Sequence, residues 1–290
     1  MLPQYSNYAT SSFLLYLDNR ISNNSTIYNV GTQAYPINQI FNGYNTYAFP
    51  FGQIVSDISV SGINNLTGIY LNNSFIPLGQ SGLSGINFDK SQIYIDPNYA
   101  PQINAISGNY TVKEINVTLA DFPDITLLFE TKLGLRNKYI HTNVSGLLNN
   151  IMTYPTIFVE NASAPTNKPW QMGGVDQSRT VFNLYLFAET LYQKNAMMSL
   201  LADMAWKYVP LIDNISAFPM NNLGSYKNNI PYNYNTLTQN LISSGKAMLI
   251  EDVTITEFGK RGITQEIELL TTEAFFSLIT VTAWTARVAS

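Results

Sequence analysis

The chain has no cysteine, which excludes disulfides, thiolate nucleophiles and every metal site built on cysteine. It has a single histidine, His141. A lone imidazole without cysteines or paired carboxylates is a poor basis for a metal centre or a Ser-His-Asp triad, so His141 is expected to be structural or on the surface. Charge is scarce as well: charged residues make up 12% of the chain, about half the usual share. The net charge is −4, so no global positive field draws nucleic acid. Lys132, Arg136 and Lys138 form only a short basic run. No stretch approaches the roughly 20 apolar residues that span a bilayer. The first residues, MLPQYSNYATSSFLLYLDN, lack a charged n-region and a long apolar run, and are not expected to act as a signal peptide. Asn-x-Ser/Thr triplets at Asn65, Asn109 and Asn161 are therefore ascribed to composition rather than glycosylation.

What is present is apolar and aromatic. Hydrophobic residues make up 46% and aromatics 13% of 290 residues, enough for one large core or two medium ones. Asn, Tyr, Ser and Thr supply the missing polarity, a surface suited to a life against neighbours; an AT-rich genome would also enrich Asn and Tyr.

Residues 11–21 predict a short amphipathic helix, with Leu14, Leu17 and Ile21 on one face. From there to about residue 120, Gly, Asn and Pro separate short β-prone runs. Gly68–Pro77 holds Asn72-Asn73 between two apolar runs, a hairpin signal. Ile86–Ile95 alternates around an Asp-Lys-Ser turn, and Tyr110–Leu119 continues the strand pattern. A boundary signal lies at 120–126 (ADFPDIT). Beyond it, Tyr154–Glu160 predicts a strand and Asn161–Gln171 a loop leading to Gly173-Gly174. Val181–Ala188 predicts a strand covered on both faces. Thr190 and Gln193 match a capping box. The helix after it is expected to bury Met197, Leu200, Leu201, Met204, Ala205 and Tyr208, to keep Lys194 and Asp203 wet, and to stop at Pro210. A long loop over 213–240 and strands at Ala247–Phe258 and Phe275–Thr285 follow, with Thr264–Leu270 extending or pairing with the first. Together these predict an α+β fold. Residues 1–120 form an N-terminal β-rich domain with a short N-terminal helix. Residues 121–290 form a C-terminal domain with a mostly antiparallel sheet and a packed helix.

No catalytic, cofactor-binding or metal-binding residue emerges, and the chain is expected not to be an enzyme. Gly173-Gly174 precedes a strand and lacks phosphate-loop spacing. Glu251 and Asp252 are adjacent on a strand and point to opposite faces. Glu266 and Glu268 share a face alternating with Ile267 and Leu269, a weak glycosidase alternative. The 19 Tyr and 3 Trp suit either subunit interfaces or carbohydrate stacking. Lys260-Arg261 is expected at a hairpin tip, where it could meet an acidic neighbour or DNA in a channel.

The run IFVEN…QMGGVDQSRTVFNLYLFAETLYQKNAMMSLLADM, then VPLID…FPMNNLGSY and MLIEDVTITEF, resembles virion structural proteins of tailed bacteriophages; SGLSGINFDKSQIYID and LLFETK resemble further parts. The resemblance spans most of the chain but consists of shape patterns, not catalytic signatures. It implies a head–tail neck or tail component similar to tail-terminator or connector-associated proteins. Such a component would form a ring, commonly sixfold, through sheet edges and long loops. Its implied partners are other copies, neck, tail-tube or sheath proteins, and DNA in the channel without sequence specificity, with no membrane. Its implied place is the virion, assembled in the host cytoplasm. Residues 1–120 exceed a minimal tail terminator, which leaves neck, tube and baseplate positions open. The alternative is a carbohydrate-binding receptor-recognition module of a phage fibre or baseplate.

Overall fold

Helix α1 spans Tyr5–Asn24, well beyond the expected 11–21; it buries the expected apolar face and more, while Asn19, Arg20, Asn23 and Asn24 stay half-buried or exposed. Phe13, Leu14, Leu15, Leu17 and Ile21 are buried, and so are Ser11, Ser12, Asp18 and Ser22. A polar helix face can enter a core at low cost only if its groups find partners; Asp18 and Ser12 do, whereas the Ser22 hydroxyl has none among the described residues. Asp18 meets Lys113 and accepts from the Tyr232 hydroxyl (2.7 Å), and Ser12 Oγ accepts from the Ile212 N–H (2.9 Å). The last turn is closed by side chains: Asn23 and Asn24 donate to the carbonyls of Asn19 (2.9 Å) and Arg20 (2.7 Å). The computed structural model describes residues 5–50, 52–80, 82–89, 91–99, 105–120, 155–162, 166–169, 175–212, 231–257 and 275–288.

The strands form two seven-stranded sheets. The first contains β1 (Ile27–Phe41), β2 (Tyr44–Ala48), β3 (Gly68–Leu71), β4 (Ser74–Pro77), β5 (Leu83–Asn87), β6 (Gln92–Ile95) and β7 (Ile106–Lys113) in the order β4-β3-β7-β1-β2-β6-β5. The long β1 pairs β7 along Ile27–Ala34 and β2 from Tyr35 onward. Ile69 and Ile106 share one core with Ile86 and Ile93 from the far end of the strand order, so the sheet folds over on itself. The Asn72-Asn73 hairpin is as expected: both residues have positive φ (48° and 68°), the backbone of a type I′ turn.

The second sheet contains β8 (Asn116–Leu119), β9 (Thr156–Asn161), β10 (Thr166–Pro169), β11 (Val175–Ala188), β12 (Tyr208–Pro210), β13 (Ala247–Glu257) and β14 (Phe275–Val288). Its order is β12-β13-β14-β11-β9-β8, with β10 also paired to β11. All pairs are antiparallel except β8–β9. The fold is thus mixed α+β and largely strand, as the sequence predicts. Helix α1 and helix α2 (Leu191–Ala202) both join this sheet's core, where Phe13 stacks on Phe182 at 4.3 Å. A short helix α3 (Tyr234–Thr238) lies within the expected 213–240 loop, of which 213–230 are outside the described residues.

Several local expectations need correction. The strand pattern over Tyr110–Leu119 is divided between the sheets: β7 ends in the first and β8 begins the second. Thr166–Pro169, expected in a loop, is strand β10. The capping box at Thr190 and Gln193 is formed, but the helix ends at Ala202, not at Pro210. Trp206 adopts a left-handed φ of 62°, which turns the chain into β12. There Pro210 sits on a sheet edge, where its missing N–H costs nothing. Tyr208 is consequently exposed, and Leu200 and Ala205 are only half-buried. Lys194 is buried (7% exposed) rather than wet, its ammonium 3.5 Å from Glu257; a long aliphatic stem allows this.

Candidate interaction surfaces

The joint between the sheets is polar and buried. Lys113 Nζ contacts Asp18 Oδ1 and donates to Gln53 Oε1 (3.2 Å). Gln53 Oε1 also accepts from the Val117 N–H (2.8 Å), and Gln53 Nε2 donates to the Val117 carbonyl (2.5 Å). The side-chain amide thus brackets both backbone groups of Val117, as a neighbouring strand would. Because β8 is an edge strand, Gln53 closes an edge otherwise open to pairing with another chain. Asn116 Oδ1 accepts the Gln53 N–H (2.8 Å), and glycine at 52 is needed beside it, since a Cβ there would lie 2.5 Å from that oxygen. The opposite edge, β12, is three residues long and ends in Pro210. Both ends of the order β12-β13-β14-β11-β9-β8 are therefore poor sites for strand addition.

The face of this sheet away from α1 and α2 is only half covered. Cross-strand pairing sets Arg179, Trp284, Leu249 and Tyr208 in one row across β11, β14, β13 and β12. With strands roughly 4.8 Å apart, the row runs about 15 Å. The next rows are largely polar: Thr282 and Asp252 beside Val181, then Asn183, Thr280 and Thr254. At the far end Phe158, Phe187, Tyr185 and Phe276 cluster, with Phe187 and Phe276 ring centroids 4.9 Å apart. The strand expected to be covered on both faces is so only at this end: Phe187 is buried, whereas Val181 and Tyr185 are half-exposed. Beside Tyr208 stands Trp206, 70% exposed. Its left-handed backbone, costly for a bulky residue, is held by the Trp206 N–H donating to the Ile250 carbonyl (2.9 Å) and the Ile250 N–H donating to the Lys207 carbonyl (2.9 Å).

Glu251 and Asp252 do not point to opposite faces as simple alternation predicts; both lie on the outer side, and each is engaged by another side chain. A β-bulge falls between Ile250 and Asp252, and such an extra residue shifts the inward parity. Met248 and Ile250 point to the core before it and Val253 after it, so Asp252 stays outside. Glu251 accepts from Arg179 (3.1 Å), and Asp252 from the Thr254 hydroxyl (2.7 Å). His141, Gly173-Gly174, Lys132, Arg136, Lys138, Lys260-Arg261, Thr264–Leu270 and Glu266/Glu268 lie outside the described residues.

A cleft of about 570 Å³ opens on the other side of α2. One helix face supplies Tyr192, Ala196, Ser199, Leu200 and Asp203; Arg20 and Asn24 come from α1, and Glu114 from the β7–β8 link. Arg20 Nε and Nη2 donate to the Leu200 carbonyl (3.4 and 3.3 Å), and Glu114 Oε2 accepts the Thr26 N–H (3.3 Å). No sequence motif announced it, because its walls come from three distant segments.

Among the described residues no group of three or more His, Cys, Asp or Glu could hold a metal ion, and no helix is long and apolar enough to cross a membrane. No protein-family model matches the chain, and no curated protein matches it.

Proposed function

We propose that this chain is a non-enzymatic structural component of a tailed-phage virion, forming a ring in the neck or tail through contacts between copies. The half-covered outer face of the second sheet carries the reading. It offers Trp284, Leu249 and Tyr208 beside a largely polar band, while the two ends of the strand order β12 to β8 are closed by Pro210 and Gln53. On this sheet the outer face is then the broader surface left for association. A ring needs a heterologous contact, two unlike patches on one chain. The second patch is the β3–β4 hairpin, whose edge strand exposes Phe75. The low charge content of 12% also suits a surface destined for contact, since interface cores are depleted in charge. The virion setting rests on the segment resemblance given above, and implies neck, tube or sheath proteins as further neighbours.

Mass photometry and negative-stain imaging of the purified protein test this. Closed rings are expected for the unaltered chain, and monomers with an unchanged circular dichroism spectrum for Leu249→Glu. A protein that stays monomeric up to high micromolar concentration and is absent from purified particles would refute it.

A further inference from the structure

We infer that the cleft between α1, the β7–β8 link and α2 is a saccharide-binding site. The composition of its walls selects the ligand class. One guanidinium, Arg20, faces two carboxylates, Glu114 and Asp203, a balance that repels phosphate and nucleic acid. Thr26 and Ser199 add hydroxyls that both donate and accept; Asn24 adds an amide oxygen and Gln193 an amide nitrogen, their other amide atoms being engaged by the Arg20 carbonyl and by the capping box. The apolar part is confined to Ile115, Pro155, Ala196 and Leu200, too little for a lipid tail but suited to the C–H face of a sugar ring. The volume of about 570 Å³ lies inside the roughly 300–1,000 Å³ of small-molecule sites.

Two side chains are poised without partners of their own. Tyr192 stands 84% exposed at the rim, a flat ring with one face free for stacking. Helix geometry brings Tyr192, Ala196, Ser199 and Asp203 to one side of α2, so the ring and the Asp203 carboxylate bracket the opening. Among the described residues no hydrogen bond or ion pair engages Asp203 through its carboxylate. Arg20 is held toward the cleft by the Leu200 carbonyl, and among the described residues no carboxylate pairs with it. A polyol with vicinal hydroxyls satisfies this set: it donates to Asp203 and Glu114, accepts from Arg20, and lays its ring on Tyr192. Charge-assisted bonds of this kind are roughly twice as strong as neutral ones. The cleft lies on the α2 side of the second sheet, opposite the outer face, so sugar binding and ring formation can fail separately.

The test is saturation-transfer NMR and calorimetry on the full chain with lactose, maltotriose, diacetylchitobiose and sialyllactose, and with inorganic phosphate as the anionic probe. At least one saccharide should bind saturably with a Kd near 1 mM, and Tyr192→Ala should weaken it about tenfold. Asp203→Asn should weaken it severalfold with the circular dichroism melt unchanged; it is the second variant if Tyr192→Ala fails to fold. No saturation with any of the four saccharides up to about 20 mM overturns the site. So does binding that both variants leave intact, or binding of phosphate alone.

Discussion

Replacing Lys113 with Met tests whether the joint between the sheets is an energetic necessity. Lys113 and Asp18 are both buried, with side-chain exposures of 2% and 0%. The substitution keeps most of the aliphatic volume but, among the described residues, leaves the Asp18 carboxylate with the Tyr232 hydroxyl (2.7 Å) as its one hydrogen-bond partner. It also removes a donor from Gln53 Oε1. An uncompensated buried charge of this kind costs about 3–5 kcal/mol, a large part of the roughly 5–15 kcal/mol that holds a native protein together. In a chain of this size the melting temperature should fall by about 10 °C. Adding Asp18→Leu removes the stranded charge, and the remaining cost is that of one lost hydrogen bond from the Tyr232 hydroxyl, about 1 kcal/mol. The double variant should therefore be more stable than Lys113→Met alone. Urea unfolding followed by circular dichroism measures the unaltered chain, Lys113→Met, Asp18→Leu and the double variant. A loss below about 1 kcal/mol for Lys113→Met, or a double variant as unstable as the two single losses summed, would refute the reasoning.

Two further outcomes follow from burial. Leu201 is buried in the second core while Leu200 is half-buried at the cleft wall. Leu201→Asp should thus cost more than about 4 kcal/mol and yield insoluble protein, and Leu200→Asp about 1 kcal/mol; equal solubility of the two would contradict the burial assigned to α2. Burial also raises the phenols of Tyr110, against a smaller opposing effect of its Thr32 hydrogen bond, and of Tyr234, with Tyr16 and Asp57 adding in the same direction. Both folded values lie above the ordinary 10.0, so the folded state holds protons that the unfolded chain releases. Their stabilisation is complete below about pH 10 and is lost as pH rises through the folded values. Urea midpoints should hold to about pH 9 and decline by about pH 11; a flat profile over that range would count against it.

The legible parts of the sequence were those governed by local chemistry. Asn72-Asn73 fixes a turn through backbone preference, Thr190 and Gln193 fix a helix start through two reciprocal hydrogen bonds, and Phe182, Leu184 and Leu186 share a buried face through strand alternation. The misread parts depend on distant partners. Apolar spacing in α1 marks one face, yet Asp18 and Ser12 are buried too, because Lys113, Tyr232 and Ile212 satisfy them from far along the chain. Lys194 reads as solvated until Glu257 is placed beside it. Pro210 reads as a helix stop because periodicity cannot show Trp206 turning the chain first. The cleft was illegible for the same reason: Arg20, Glu114 and Asp203 have no sequence relation, and only the fold makes them neighbours.

The two surfaces differ in how much of the molecule they require. The outer face is built from β11 to β14 alone, and its row from Arg179 to Tyr208 needs nothing but strand register. The cleft needs α1, the β7–β8 link and α2 at once. Glu114 immediately follows Lys113, and Arg20 lies two residues beyond Asp18; the buried ion pair therefore fixes two of the cleft's three charged groups. Loosening that pair should displace Glu114 relative to Arg20 while the register of β11, β13 and β14 persists. A stabilised Lys113→Met, Asp18→Leu protein is then expected to keep the association surface and to alter the cleft. Ring formation with weakened sugar binding in that variant would locate the joint's role in shaping the cleft. Loss of both together would mean that the joint holds the second sheet itself.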